Sequence, residues 1–478
     1  MSSPVITWPA PPTEAPSPDF TVRIGGVPVF VYQARVRAEI LPNTGLWTHE
    51  TDPAGERASF AIADLSGPAA VEVTVQRSFR TAAVLPYGAG VAPEVEGSVV
   101  RFTVDRPRHL TLVLDDSDQY PLHLFLGEPE TDIPDPDDPD VLYFGPGVHE
   151  VTEIAPRSGQ TVYLAGGAVV KAVLHPGEAG VFNEKWNVTF YRGSVITLHD
   201  VDGVTVRGRG ILDASAIPHP GRSMLNFRDA RGITIAGVTL RDAANWNFVI
   251  GSSENVTVED VRIISGRLNS DGINSVNARG VRIRGCFVRN HDDSIVVKTT
   301  RPDLPAEDIQ VEDCVIWNDW GYALGVSYET RSPISNVTFT RCAILFARHW
   351  CMGVHVSDGA TIRGVTFRDI AYSGLRAPAA GAYAALAGEP MLLKLSIVED
   401  VWGHDPERGR IRDILLDGVT IHGGVMPASL LEGYDAEHDI RGVTFRDVRL
   451  AGEPPARTLA DLRVEPMRFA EEVTVAES

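Results

Sequence analysis

The chain has 478 residues, 44% hydrophobic and 22% charged, enough for two or three ordinary domains or one long repetitive one, which excludes a peptide or a disordered tail. Lys and Arg number 43 against 63 Asp and Glu, and the net charge of −20 repels nucleic acid, anionic lipid and polyanionic polysaccharide unless a local basic patch overrides it. No run approaches the roughly 18 uncharged apolar residues that a bilayer span needs, so the expected partner is neutral or cationic, with no membrane and no nucleic acid.

In chain order, residues 1–19 form a proline-rich arm without the basic-then-apolar order of a signal peptide. The chain as numbered is therefore expected to be cytoplasmic, or secreted if a leader was removed. Residues 20–128 alternate in short segments such as Val71-Glu72-Val73-Thr74-Val75, broken by Gly, Pro and Asp turns, a pattern that predicts a β-sandwich. Residues 129–140 are acidic and proline-rich and read as a linker that neither packs nor pairs.

From residue 141 to 450 an apolar-polar-apolar triplet keeps returning, at Val204, Ile233, Val256, Val281, Ile309, Val337 and Val365, with steps of 29, 23, 25, 28, 28 and 28. Short strands at that period, with no helix-length segment between them, predict a right-handed parallel β-helix with one coil per repeat. The fold class is thus all-β, a sandwich followed by a β-helix. Residues 451–478 are taken as a C-terminal tail, and Ala377 to Gly388 as an inserted loop or short helix. Three of the four cysteines, Cys286, Cys314 and Cys342, are spaced by 28 and should stack inside successive coils; Cys351 is the fourth. They fit no metal pattern, and neither a metal nor a cofactor is expected.

Register decides which distant residues meet. It places Asn269-Ser270-Asp271-Gly272, then Asn290-His291-Asp292-Asp293-Ser294, then Asn318-Asp319-Trp320-Gly321-Tyr322 on successive coils, with Asn245-Trp246-Asn247 before them and His349-Trp350 after. Three crowded carboxylates repel, so at least one should keep its proton to high pH. A glycosidase needs such a pair of states, one acid and one ionised partner, and aromatic rings suit stacking on sugars. A lone Asp-Gly is more often only a turn cap. Asp271 beside the Asp292-Asp293 pair favours function instead.

The segments Asn269-Ser270-Asp271-Gly272 and Asp292-Asp293-Ser294-Ile295-Val296-Val297-Lys298 resemble the NTDG and DD motifs of the polygalacturonase family and of the related dextranase and isopullulanase family. The sandwich-then-helix layout resembles the dextranase type. The resemblance implies an inverting glycoside hydrolase in which Asp292 is the general acid and Asp271 and Asp293 share the handling of water. Lys298 binds a sugar hydroxyl or tunes the acid, or is only a coil-edge salt bridge. Substrate-binding candidates are Trp246, Asn269, Lys298, Trp320, Tyr322 and His355, although a lone His355 or His349 is as often structural.

Two departures bear on substrate. Where polygalacturonases carry GHG and Arg-Ile-Lys motifs, this chain has Gly321-Tyr322-Ala323 and Met352-Gly353-Val354-His355-Val356, so both cations that hold galacturonate are missing. A neutral polysaccharide or oligosaccharide, such as the α-glucan dextran, is the expected substrate. Rival readings are a polygalacturonase-like pectin hydrolase with Arg348 as replacement cation, a β-helical lyase, and a noncatalytic carbohydrate-binding β-helix. Sugar, linkage, endo or exo action and oligomeric state are not encoded in any motif.

Overall fold

The computed structural model describes residues 5–37, 56–184, 188–375 and 389–477. Apart from a short 3₁₀ turn at Tyr87–Ala89, every regular element among them is a β-strand. None of these residues forms a helix long and apolar enough to cross a membrane.

Alternation of apolar and polar residues makes the N-terminal strands two-faced. Phe20–Ile24 buries every second residue, and Ala69–Val75 does the same. One sheet runs Val5–Ile6, Glu56–Leu65, Leu122–Gly127, Arg108–Leu114, Ala82–Leu85, with Val31–Arg37 also paired to Glu56–Leu65. The other runs Val27–Val29, Phe20–Ile24, Ala69–Val75, Val99–Val104, Glu94–Glu96. Phe20, Val22, Val71, Val73, Leu110, Leu112 and Leu124 fill the space between them. This is the sandwich the alternation predicts.

Its boundary differs from the expectation. Of the expected proline-rich arm at 1–19, the described residues 5–19 are not free, because Val5 and Ile6 pair antiparallel with Leu65 and Asp64. Trp8 then packs at the start of the β-helix, where Gly166 leaves room for its ring.

The β-helix begins at Val141–Phe144 and winds right-handed, the hand that parallel crossovers take. Through its middle, each coil contributes three strands. Ile273–Val276, Arg279–Arg284 and Phe287–Asn290 make one coil, and Ile295–Thr299, Ala306–Glu312 and Val315–Asn318 make the next. The repeated triplets lie on the second strand of each coil. The expected tail at 451–478 is a further coil, with Val464–Arg468 and Ala470–Ala476 paired to the strands before them. The triplet recurs there as Val473-Thr474-Val475, in register with Val443-Thr444-Phe445, and packs on the core.

Residues 129–140 form no strand, as a linker should, yet they do pack. Glu130 accepts from the Tyr163 hydroxyl at 3.1 Å, and Asp132 pairs with Arg207 at 3.2 Å. Their charge makes this possible, since the coil surface beneath them offers Arg207. The Ala377–Gly388 insertion lies outside the described residues.

Cys286, Cys314 and Cys342 are buried free thiols on successive coils, near enough for burial and each other to push the Cys314 thiol up. The sandwich seals the third-strand face of the coils. Tyr32, Phe60, Leu85, Val113 and Phe125 meet Phe287, Val315, Trp317, Leu345 and Phe346 in one apolar layer. Buried ion pairs stitch this seam, among them Arg209 to Asp64 at 3.0 Å and Arg348 to Asp118 at 3.6 Å.

Candidate active site

The turn from the third strand of one coil to the first strand of the next carries the predicted residues. Backbone pairing of Ile273 with Ile295 and of Ile295 with Leu324 sets Asp271, Asp293 and Tyr322 in one column, two residues before each pair. Trp246 precedes them in that column, through Phe248 paired with Ile273, and Trp350 follows through its pairing with Tyr322.

Buried asparagines hold the turns. Asn247 Nδ2 donates to Asp271 O at 3.0 Å, Asn290 Nδ2 to Asp292 O and Asp293 O at 2.9 and 2.8 Å, and Asn318 Nδ2 to Asp292 O at 2.7 Å. Side-chain amides thus serve Asp292 O and add a second donor to Asp271 O and Asp293 O, which also accept from the Asn247 and Gly272 N–H groups. Gly321 is required at its position, since its φ is +77° and a Cβ would meet Asp293 Oδ1 at 2.7 Å.

The three aspartates come together, each offering an oxygen within 4.8 Å of the others. This is a closest approach between single oxygens, shorter than the roughly 6.5 to 9.5 Å usually left between inverting carboxyl groups. Stacked coils force the proximity, because neighbouring strands lie only about 4.8 Å apart. Their exposures divide them. Asp271 and Asp293 are each 2% exposed, whereas Asp292 keeps part of its surface open to the cleft.

Burial, and then the charge of Asp293, raises Asp292 to about 7. Burial and the Asp292 charge raise Asp271 well above the carboxylate range. The two titrate as one system. Asp293 accepts from Lys298 Nζ at 3.2 Å, Tyr322 N–H at 2.9 Å and Ser327 Oγ at 2.5 Å, three donors that suit a carboxylate. Asp271 Oδ2 lies 3.6 Å from Lys298 Nζ, and its Oδ1 has no hydrogen-bond partner among the described residues.

Lys298 is neither an exposed sugar ligand nor a coil-edge salt bridge. It is buried, and its pKa is raised by the carboxylates around it, of which Asp293 acts most strongly against the opposing effect of burial. Its Nζ stands 4.9 Å from the centre of the Trp246 ring. Tyr322 is also corrected. With 0% exposure it offers no face to a sugar; its ring lies under Trp350 at 4.4 Å. His355 is buried too, hydrogen-bonded to Ser396 Oγ at 2.8 Å, and burial takes it down to about 3. It stays neutral and supports Tyr322 and Tyr328 from beneath.

Trp246, Trp320 and Trp350 remain partly exposed along the cleft, as does Asn269, whose Nδ2 donates to Asn245 Oδ1 at 2.9 Å. His291 stacks on Trp320 at 5.7 Å, and His349 meets Trp320 edge-on at 4.2 Å. Arg348 does not enter the cleft, because Asp118 of the sandwich draws it the other way.

Two charged residues escaped sequence reasoning. Glu329 Oε2 lies 3.7 Å from Lys298 Nζ. Lys394 Nζ sits 4.0 Å above the Trp350 ring, and burial lowers its pKa to about 8. Lys394 aligns with Gly353 through strand pairing, but 41 residues of chain separate them, which hides it from a 28-residue period.

Residues 156–380 match the profile described as "Glycosyl hydrolases family 28". A polygalacturonase of Saccharomyces cerevisiae is 24% identical over 160 residues, 31% of this chain and 44% of that protein. The match therefore spans less than half the length of that curated relative. Dex49A from Penicillium minioluteum superposes with a TM-score of 0.59 at 13% identity, covering 100% of this chain and 93% of that one. A hyperthermoactive exopolygalacturonase from Thermotoga maritima gives 0.52 at 16% identity over 65% of this chain and 78% of its own. The chain is thus similar in fold to the β-helical polygalacturonase and dextranase group, with the sandwich included in the Dex49A match.

Proposed function

We propose that the protein is a glycoside hydrolase that cleaves a neutral polysaccharide or oligosaccharide. The observation that carries this reading is the division among three neighbouring carboxylates, one partly exposed and two buried. Asp292, raised to about 7, gives its proton to the departing glycosidic oxygen as the bond from that oxygen to the anomeric carbon breaks. Water attacks that carbon, and Asp271 Oδ1 takes its proton, in the form of the coupled pair that leaves Asp271 ionised. Asp293, fixed by three donors, holds the water and Lys298 in place. Trp246, Trp320 and Trp350 stack on sugar faces.

The reading expects inversion. Asp271 and Asp293 lie close to Asp292, as retaining pairs do, but both are buried behind it and reach a sugar only through water. Proton NMR of the first-formed anomer decides between the outcomes, and net retention removes the water-handling role.

A second reading has its own observation. Lys394 over Trp350 supplies a cleft cation, and polygalacturonases are among the relatives, so an acidic sugar is the alternative substrate. The deciding experiment is a panel of neutral glycans, aryl glycosides and polygalacturonate, with Asp292→Asn as the control for contaminants. Faster cleavage of polygalacturonate than of every neutral glycan puts the acidic reading first.

A further inference from the structure

The strand Tyr322–Thr330 is interrupted just where it passes Lys298. Its neighbour Ile295–Thr299 pairs Val297 with Val326 but Thr299 with Thr330, so three residues, Ser327, Tyr328 and Glu329, stand opposite Lys298 alone. Tyr328 and Glu329 have φ of 28° and 38°, left-handed values that neither residue adopts readily. The bulge turns side chains that a regular strand would place elsewhere into the site. Ser327 Oγ reaches Asp293, the Tyr328 ring meets His355 at 4.3 Å, and Glu329 Oε2 approaches Lys298.

Lys298 Nζ consequently has Asp293 at 3.2 Å, Asp271 at 3.6 Å and Glu329 at 3.7 Å, with the Trp246 ring on a further side. Asp292 adds its field to this group; burial raises the Glu329 carboxyl, Lys298 and His404 oppose the shift, and Asp293 and Asp358 add to it. We propose that the bulge sets the charge preference of the cleft: Glu329 takes the side of Lys298 that a substrate carboxylate would need, so the lysine serves the site's own aspartates and an acidic sugar is rejected. This deepens the neutral-substrate reading and rests on it for the identity of the ligand. The chemistry is electrostatic. A uronate entering beside Asp293 and Glu329 meets more negative charge than Lys298 cancels, in a partly dry cleft where unit charges several ångströms apart still interact strongly. Without the Glu329 charge the group carries one negative charge fewer against Lys298.

The test measures binding by calorimetry in the Asp292→Asn background, with a galacturonate trisaccharide and a panel of neutral glucose trisaccharides as probes. Glu329→Gln should tighten the galacturonate trisaccharide about tenfold or more at low ionic strength, with the gain shrinking at high salt and any neutral affinity shifting by less than about twofold. An unchanged or weakened galacturonate affinity overturns the proposal, as does a gain shared equally by neutral ligands, which marks a mere change of shape. If Glu329→Gln does not fold, Glu329→Asp draws the carboxylate back by one methylene and should show a smaller gain; no gain there also overturns it. These readouts need no turnover, so failure of the hydrolase reading appears separately, as wild-type protein that cleaves nothing in the panel.

Discussion

At the scale of single residues, the site depends on one proton held in the right place. Burial puts Asp292 near 7 when its ordinary value is 3.8, so below about pH 7 it holds the proton that the proposed mechanism uses. The expected kcat/KM profile falls as pH rises through that value. Asp292→Asn should lose about 10² to 10⁴ in kcat, with substrate binding nearly intact, because a general acid acts in the transition state. Retention of more than a tenth of the activity rules the assignment out. The same shift has a consequence for stability. The folded state keeps a proton that the unfolded state releases near 3.8, so the stabilisation is complete below that pH and lost as pH rises through about 7. Denaturant titrations at pH 5 and pH 8 should therefore differ less for Asp292→Asn than for wild type.

At the scale of the element, the coil turn is a device for bringing carboxylates together and then holding them with amides. Asn318 Nδ2 contacts Asp292 O, Ser294 Oγ and Tyr322 O at 2.7, 2.9 and 3.3 Å. Asn318→Ala removes the second donor to Asp292 O and to Tyr322 O, which keep Asn290 Nδ2 and the Ser294 N–H, and should cost about 1 kcal/mol in urea unfolding. Gly321→Ala forces a Cβ against Asp293 Oδ1 and should lower both stability and kcat, since the base-side carboxylate must move. The column of Asp271, Asp293 and Tyr322 was legible in the sequence because motif and period agree there. Glu329 was not, since a two-residue excess in one strand shifts everything after it off the repeat. Nor was the burial of Tyr322: periodicity says which residues share a column, not how deep each lies once Trp350 stacks above. The thiol ladder offers an independent check of register. Cys286, Cys314 and Cys342 should resist thiol reagents in the native protein and all react once it is denatured.

At the scale of the whole molecule, the sandwich and the β-helix share a core, and the shared side lies directly behind the catalytic turns. Arg289, wholly buried, donates from Nε to Asp319 Oδ2 at 3.0 Å and meets His123 of the sandwich at 3.2 Å. Asp319 immediately precedes Trp320 of the cleft. Arg289→Ala leaves the Asp319 carboxylate buried without its guanidinium and should cost about 3–5 kcal/mol, with sandwich and helix still melting in a single transition by calorimetry. Two separate transitions there disprove the shared core. The sequence showed both halves but not the seam, because an ion pair such as Arg348 with Asp118 joins residues 230 positions apart with no motif to connect them.

The column running from Trp246 through Asp271, Asp293 and Tyr322 to Trp350 supplies one side chain per coil at the fixed rise of about 4.8 Å that backbone hydrogen bonding imposes. It is a ruler whose graduations are written in peptide geometry rather than in side chains. Substitution alters what stands at one mark and leaves the spacing alone. Inserting or deleting a whole coil beyond Trp350 would keep every bond of the aspartate turn yet move all later marks by one full step, so the length of this stacked face is changed by counting coils, not by redesigning contacts.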